Sequence, residues 1–326
     1  MNGFELILPF LRPIQNLILD PDISEIMVNG SEHIFIEKQG HLQPIHDITM
    51  SQKSLEVAVR NIARRLGDDI SEEKPVLDSR LPDGSRVAAI LRPCSLNGVV
   101  LTIRKFNVKY FGIDDLVASG SLTAAVADRL RLAVLEHQNI LISGGTGTGK
   151  TTILTALASY IPEYERVLVI EDTAEVQIRT PNLVRLEARR EQNGVPAVTI
   201  RDLLRASLRH RPDRILLGEI RGAEAFDLLQ LLNTGHSGTL STVHANSAAQ
   251  ALTRFTSCVL QSGVELPYRA IKNNIADSLN VLVHLERRPG RRFVSEVAQI
   301  SGYKPEQDRY GLVALFNRTE DVPCLP

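Results

Sequence analysis

The sequence predicts an α/β protein in two parts, an N-terminal α+β domain followed by an α/β domain on a mostly parallel sheet. Three observations predict it. The chain has 326 residues, enough for two domains of ordinary size. Apolar runs at Ile140-Leu141-Ile142, Val167 to Ile170, Ile215-Leu216-Leu217 and Gly238 to Val243 alternate with helical stretches, as parallel strands covered on both faces do. Between the first run and a helix stands Gly144-Gly145-Thr146-Gly147-Thr148-Gly149-Lys150-Thr151, the phosphate-binding pattern in its required setting.

The elements follow in order. Leu6, Ile7, Leu8, Leu11, Ile14, Leu17 and Leu19 fit an amphipathic N-terminal helix with a break at Pro9 or Pro13. It lacks the basic start and cleavage site of a signal peptide. It reads as a core helix ahead of a membrane- or partner-touching one. Residues 23–48 read as short antiparallel strands around Asn29-Gly30, with Ile34 and Ile36 in the second run. Leu55, Val59, Ile62 and Leu66 share a helical face that Gly67 ends. Val76 to Leu91 reads as a hairpin turning at Pro82-Asp83-Gly84, and Val99 to Ile103 as another strand. The expected divisions are therefore 1–105 for the N-terminal domain, 106–120 for a linker with two short helix starts, and 121–326 for the NTPase domain. In the last, Leu122 to Glu136, Thr151 to Tyr160 and Ile200 to His210 read as helices.

Composition excludes several function classes. There are 37 basic and 38 acidic side chains, a net charge of −1, and neither half of the chain is basic. A protein that neutralises phosphates along DNA is not built this way. The absence of Trp, with 9 Phe and 6 Tyr, also argues against direct single-strand binding by stacking. No 18-residue stretch is apolar enough to span a bilayer. Cys94, Cys258 and Cys324 are odd in number and far apart. That favours a reducing, cytoplasmic address and gives no cysteine-based zinc site.

Chemistry concentrates in the second domain. The backbone of Gly144, Gly145, Thr146, Gly147, Thr148 and Gly149 wraps closely enough to aim amides at phosphate oxygens. The helix opening near Lys150 adds dipole potential. Lys150 reaches the β- and γ-phosphates, Thr151 places its hydroxyl on Mg2+, and Thr152 completes the nucleotide-binding set. Glu219 ends the run Arg214 to Gly218, where a carboxylate polarises water and holds Mg2+ through water. The plainer reading of Glu219 is a surface pair with Arg221. Glu171-Asp172-Thr173 forms a second acidic strand end, for which a helix cap is the competing reading. His236 and His244 flank Gly238 to Val243. A two-His metal site lacks a third ligand here, two satisfied histidines are the default, and the surrounding Thr, Ser and Gly suggest phosphate sensing.

In this order, the phosphate loop, Ile170 to Thr173, Arg211 to Arg221 and the two-His segment resemble the secretion-ATPase superfamily. They match its Walker A, Asp box, Walker B and His box. Leu81-Pro82-Asp83-Gly84-Ser85-Arg86 and Leu101 to Phe106 extend the likeness toward the conjugal-transfer and Tad-pilus branch, over roughly residues 20–300. The resemblance implies a RecA-like second domain, ATP and Mg2+ as cofactors, and a homohexamer working with inner-membrane apparatus at the cytoplasmic face. It implies catalytic roles for Lys150, Glu219, Glu171, His236 and His244, and for the N-domain arginines Arg80, Arg86 and Arg104. Three scattered cysteines depart from the four-cysteine zinc subdomain of type II members. A core that starts near residue 20 departs from long-extended Tad members and favours the compact conjugal-transfer type. The alternatives are a Tad or type IV pilus assembly ATPase, a RecA-type nucleic-acid motor and a nucleotide-gated assembly factor.

Overall fold

A computed structural model describes residues 3–38, 40–106, 111–189, 191 and 195–318. Among these the chain divides into two compact units, residues 3–106 and residues 111–191 with 196–318, apart from Val195, which groups with the first. Part of the expected linker, residues 107–110, lies outside the described residues.

The first unit starts with less α-helix than the expected helix broken at Pro9 or Pro13. Three short 3-10 turns, Gly3–Leu6, Leu8–Phe10 and Arg12–Ile14, precede helix α1 (Gln15–Leu19). Pro9 and Pro13 are the second residues of the second and third turns. Proline fits there because it donates no backbone bond, and it stops a continuous helix. The apolar spacing still serves burial: Ile7, Leu11, Ile14 and Ile18 are at most 1% exposed. These side chains join the core of the unit.

That core lies under one antiparallel sheet in the order β3-β2-β1-β6-β5-β4. Its strands are β1 (Ile23–Asn29), β2 (His33–Lys38), β3 (His41–Ile45), β4 (Val76–Arg80), β5 (Arg86–Ile90) and β6 (Val100–Arg104). Helix α2 (Gln52–Arg65) opens with Ser51, whose hydroxyl accepts the Ser54 N–H at 3.1 Å. It buries Leu55, Val59 and Ile62 in the same core as Ile26, Val28, Val87 and Ile103. The hairpin at Pro82-Asp83-Gly84 and the strand after it stand where the spacing places them.

The second unit begins with helix α3 (Ile113–Ala118), inside the stretch expected as linker, and Leu116 is buried in this unit's core. Helix α4 (Ala124–Leu135), capped by Thr123, leads into strand β7 (Ile140–Gly144). Then come α5 (Lys150–Ala158), β8 (Val167–Glu171), β9 (Leu183–Glu187), α6 (Ile200–Ser207), β10 (Arg214–Ile220), α7 (Glu224–Asn233) and β11 (Leu240–Val243). Helices α8 (Ala248–Leu260) and α9 (Tyr268–Ser278) and strands β12 (Val281–Arg288), β13 (Arg291–Lys304) and β14 (Arg309–Asn317) complete it.

The sheet order is β14-β13-β12-β7-β11-β10-β8-β9. Strands β12, β7, β11, β10, β8 and β9 run parallel, while β13 and β14 fold back antiparallel. Alternate residues feed two cores. Ile140, Ile142, Val167 and Val169 face α4 and α5, whereas Leu141, Leu168, Ile170 and Ile215 face α6 to α9. This is why the runs read as continuously apolar. Among the described residues no helix is long and apolar enough to cross a membrane.

Candidate nucleotide-binding site

Parallel strands place every strand end on one edge, where ligands of such sheets bind. At that edge β7 turns into the phosphate loop, which closes on α5. Gly149 caps α5 with φ +95°, a left-handed geometry that side chains avoid. At Gly144, φ +158°, a Cβ would meet the Leu285 carbonyl oxygen at 2.7 Å. Glycine at these positions lets the loop lie against β12. Thr148 donates its hydroxyl to the Gly145 carbonyl at 2.9 Å. Thr151 and Thr152, both half-buried, stand in the first turn of α5.

Lys150 is buried, and its Nζ donates to the carbonyls of Gly144 at 3.0 Å and Gly145 at 2.9 Å. Burial lowers its pKa, and the nearby Glu219 opposes that. Neutral carbonyls are weaker partners for an ammonium than a phosphate oxygen. The side chain is thus held ready for an anion.

Glu219 comes near the end of β10 and spends both carboxylate oxygens. Oε1 stands 2.6 Å from His244 Nε2, and Oε2 accepts from Arg221 Nε at 2.6 Å. His244 follows β11, the strand between β7 and β10, which brings it between the lysine and the carboxylate. Its Nδ1 is 3.4 Å from Lys150 Nζ. Burial lowers the His244 pKa, against the pull of Glu219. A neutral ring with the proton on Nε2 satisfies both contacts, donating to Glu219 and accepting from Lys150.

Glu171 closes β8 and is 3% exposed. Its Oε1 accepts the backbone N–H groups of Glu175 and Val176, both at 2.8 Å. Burial is the largest influence on this carboxyl and pushes its pKa up to about 7. Glu171 therefore organises the loop after β8. The next residue, Asp172, accepts from Arg221 Nη1 at 2.8 Å through Oδ2. Thr242 on β11 donates to the Gly218 carbonyl at 2.6 Å, fixing β11 to β10 beside Glu219.

The structure thus gathers Lys150, Glu219 and His244, with Glu171 one strand further out. It does not bring His236 to them. His236 precedes β11 while His244 follows it, so the two histidines lie at opposite edges of a parallel sheet. Its Nδ1 stands 3.4 Å from the Thr234 hydroxyl, and its carbonyl accepts from Thr239 at 3.3 Å. These are local turn contacts. The motif order in the sequence shows no edge, and only the strand direction separates the two histidines.

In the first unit the three arginines are cross-strand neighbours. Arg80 pairs with Arg86 and Arg86 with Arg104. The row continues through Glu25 to Glu37. Residues directly opposite in antiparallel strands share a face, so a basic half and an acidic half meet at Arg104 and Glu25. Burial raises the Glu25 pKa, Arg104 lowers it and Glu37 raises it again. Sequence reasoning missed Glu25 as the partner of this row, and it gave Arg221 only as a surface pair. An alternating strand with a single acidic position was the available signal for the first. An arginine two residues after the strand-end carboxylate was the signal for the second.

Comparisons with known proteins agree with this construction. The family model described as "Type II/IV secretion system protein" matches residues 11–304. The conjugal transfer protein TrbB of Rhizobium radiobacter is 34% identical over 289 residues, which cover 87% of this chain and 86% of that protein. The type IV secretion system protein VirB11 of Bartonella henselae is 30% identical over 328 residues, covering 90% and 92%. The X-ray structure of the Legionella pneumophila ATPase DotB shares the fold, with a TM-score of 0.60, 19% identity and coverage of 91% and 81%. With a phosphate loop, a strand-end carboxylate and these relatives, the chain belongs to the type II/IV secretion system protein family and is similar along most of its length to the conjugal transfer protein TrbB.

Proposed function

We propose that the chain is the motor of a type IV secretion or conjugal-transfer apparatus, acting as a homohexamer at the cytoplasmic face of the inner membrane. The observation that carries the reading is the continuous contact Lys150–His244–Glu219. It joins the phosphate-loop lysine to a strand-end carboxylate through one imidazole. The similarity to conjugal-transfer and type IV secretion proteins along most of both chains supports the choice of apparatus.

The substrate is ATP with Mg2+. The residues present fit the cation: the Thr151 hydroxyl and, through water, the Glu219 carboxylate are hard oxygen donors of the kind Mg2+ takes. Once bound, the cation supplies charge neutralisation on the phosphate oxygens. Lys150 exchanges its carbonyl partners for phosphate oxygens. Glu219 orients the attacking water and receives its proton, and His244 fixes the direction of that carboxylate. Arg80, Arg86 and Arg104 are the source of the positive charge that answers the γ-phosphate, a contribution of about 10³–10⁵ in rate where such arginines act. Loss of the γ-phosphate is then converted into rigid-body motion of the N-terminal domain.

The test is ATP turnover by the purified chain across protein concentrations, with Lys150→Ala alongside and particle mass measured in parallel. The reading requires specific activity that rises as six-subunit particles form and vanishes in the variant. Full turnover by a monomer overturns the ring.

A further inference from the structure

We propose that Arg221 is a positioning residue for hydrolysis: its guanidinium spans Glu219 and Asp172, so the loop after β8 sets the direction of the water-activating carboxylate. The proposal rests on Glu219 being that carboxylate.

The geometry uses two different edges of one planar group. Nε donates to Glu219 Oε2 at 2.6 Å, and Nη1 donates to Asp172 Oδ2 at 2.8 Å. With His244 on Oε1, Glu219 is held at both oxygens, and turning it breaks a charge-assisted bond. Both ends of the clamp are themselves anchored. The Arg221 and Gly222 N–H groups donate to Glu224 Oε1, the latter at 2.7 Å, and the Arg221 carbonyl accepts from Arg254 at 3.3 Å. On the other side Glu171 holds the loop after β8 through the Glu175 and Val176 amides. The arrangement therefore runs from β8 through Asp172 and Arg221 to Glu219, and each joint is a short polar contact.

Exposure separates positioning from stability. The Arg221 and Asp172 side chains are 56% and 36% exposed, and ion pairs so placed add little to folding. Their removal acts on where Glu219 points, and a small displacement of a catalytic group is costly in rate. Lysine is a poor replacement, because a point charge on a flexible stem has no second edge to offer Asp172.

The experiment measures steady-state ATP turnover and melting temperature for the full chain and for Arg221→Ala, Arg221→Lys, Asp172→Asn and the Arg221→Ala/Asp172→Asn pair. Arg221→Ala is expected to lower kcat by roughly 10- to 100-fold, with KM and melting temperature near those of the unmodified chain. Asp172→Asn loses less, in the same direction. The pair is no worse than Arg221→Ala alone to within about twofold, because both changes cut one connection. Arg221→Lys recovers part of the loss. Unchanged kcat in Arg221→Ala overturns the clamp, as do losses that multiply in the pair, or a raised KM at full kcat. Asp172→Asn reads the same joint from its other end if Arg221→Ala does not fold. Turnover by the unmodified chain that Lys150→Ala abolishes keeps the site reading whichever way the clamp falls; no turnover at all overturns both.

Discussion

His244 Nε2 stands 2.6 Å from Glu219 Oε1, while Nδ1 of the same ring lies 3.4 Å from Lys150 Nζ. One imidazole therefore reports to the group that grips phosphate and to the group that handles water. The His244→Ala variant is expected to keep ATP affinity and to lose about 10- to 100-fold in kcat, because Glu219 loses one of its two orienting contacts. Steady-state turnover beside nucleotide titration checks this. A weaker affinity with kcat intact contradicts it.

His236 gives the contrasting experiment. It occupies the edge of the sheet away from the phosphate loop, in local contacts with Thr234 and Thr239. His236→Ala is expected to turn over ATP within about twofold of the unmodified chain, as surface changes away from a site do. Equal losses in His236→Ala and His244→Ala would show that the two histidines act together on the nucleotide.

Glu171 makes stability depend on pH. Its ordinary value is 4.5, and burial raises it to about 7 in the folded chain. A carboxyl with a raised folded pKa stabilises below the unfolded value, and that stabilisation is lost as pH rises through the folded one. The window is therefore from about pH 4.5 to 7, and at most about 3 kcal/mol is lost across it. Glu171→Gln still offers an oxygen to the Glu175 and Val176 amides but carries no charge. Melting temperatures between pH 5 and 8 are expected to fall for the natural chain relative to this variant. Parallel curves would show that the carboxyl ionises without penalty.

The sequence made the parallel strands legible because burial on both faces leaves an unbroken apolar run of three or four residues inside each of β7, β8 and β10. The phosphate loop was legible because its chemistry is local, with every residue from Gly144 to Thr151 adjacent in the chain. Strand β12 was not, although it borders β7 through the pair Val281 and Ile140, because a neighbour so far along the chain leaves no mark in spacing. The same distance hid the clamp: Asp172 and Arg221 are far apart in sequence, and only the adjacency of β8 and β10 brings them together. The three arginines stood out one by one in sequence, but their common row depends on the register of β4, β5 and β6. The N-terminal apolar positions were legible as core, while prolines decided that the backbone there would turn rather than continue.

At the edge away from the phosphate loop, Arg214 opens β10 and its guanidinium is fully buried. It donates to the Glu165 carboxylate and, at 2.8 Å, to the Val134 carbonyl. His137 Nε2 adds a contact to Glu165 at 3.3 Å. Removing one partner leaves a buried charge without compensation, which costs roughly 3–5 kcal/mol. Glu165→Leu is therefore expected to lower the melting temperature sharply. A second change, Arg214→Met, is expected to return much of the loss, because a dry apolar pair avoids the desolvation that a lone guanidinium suffers. Since both side chains lie away from the Glu219 end of the strand, kcat per folded molecule should hold in the double variant. Thermal melts of the single and double variants decide the matter. A double variant less stable than Glu165→Leu would mean that the Val134 contact, rather than the ion pair, secures this edge of the sheet.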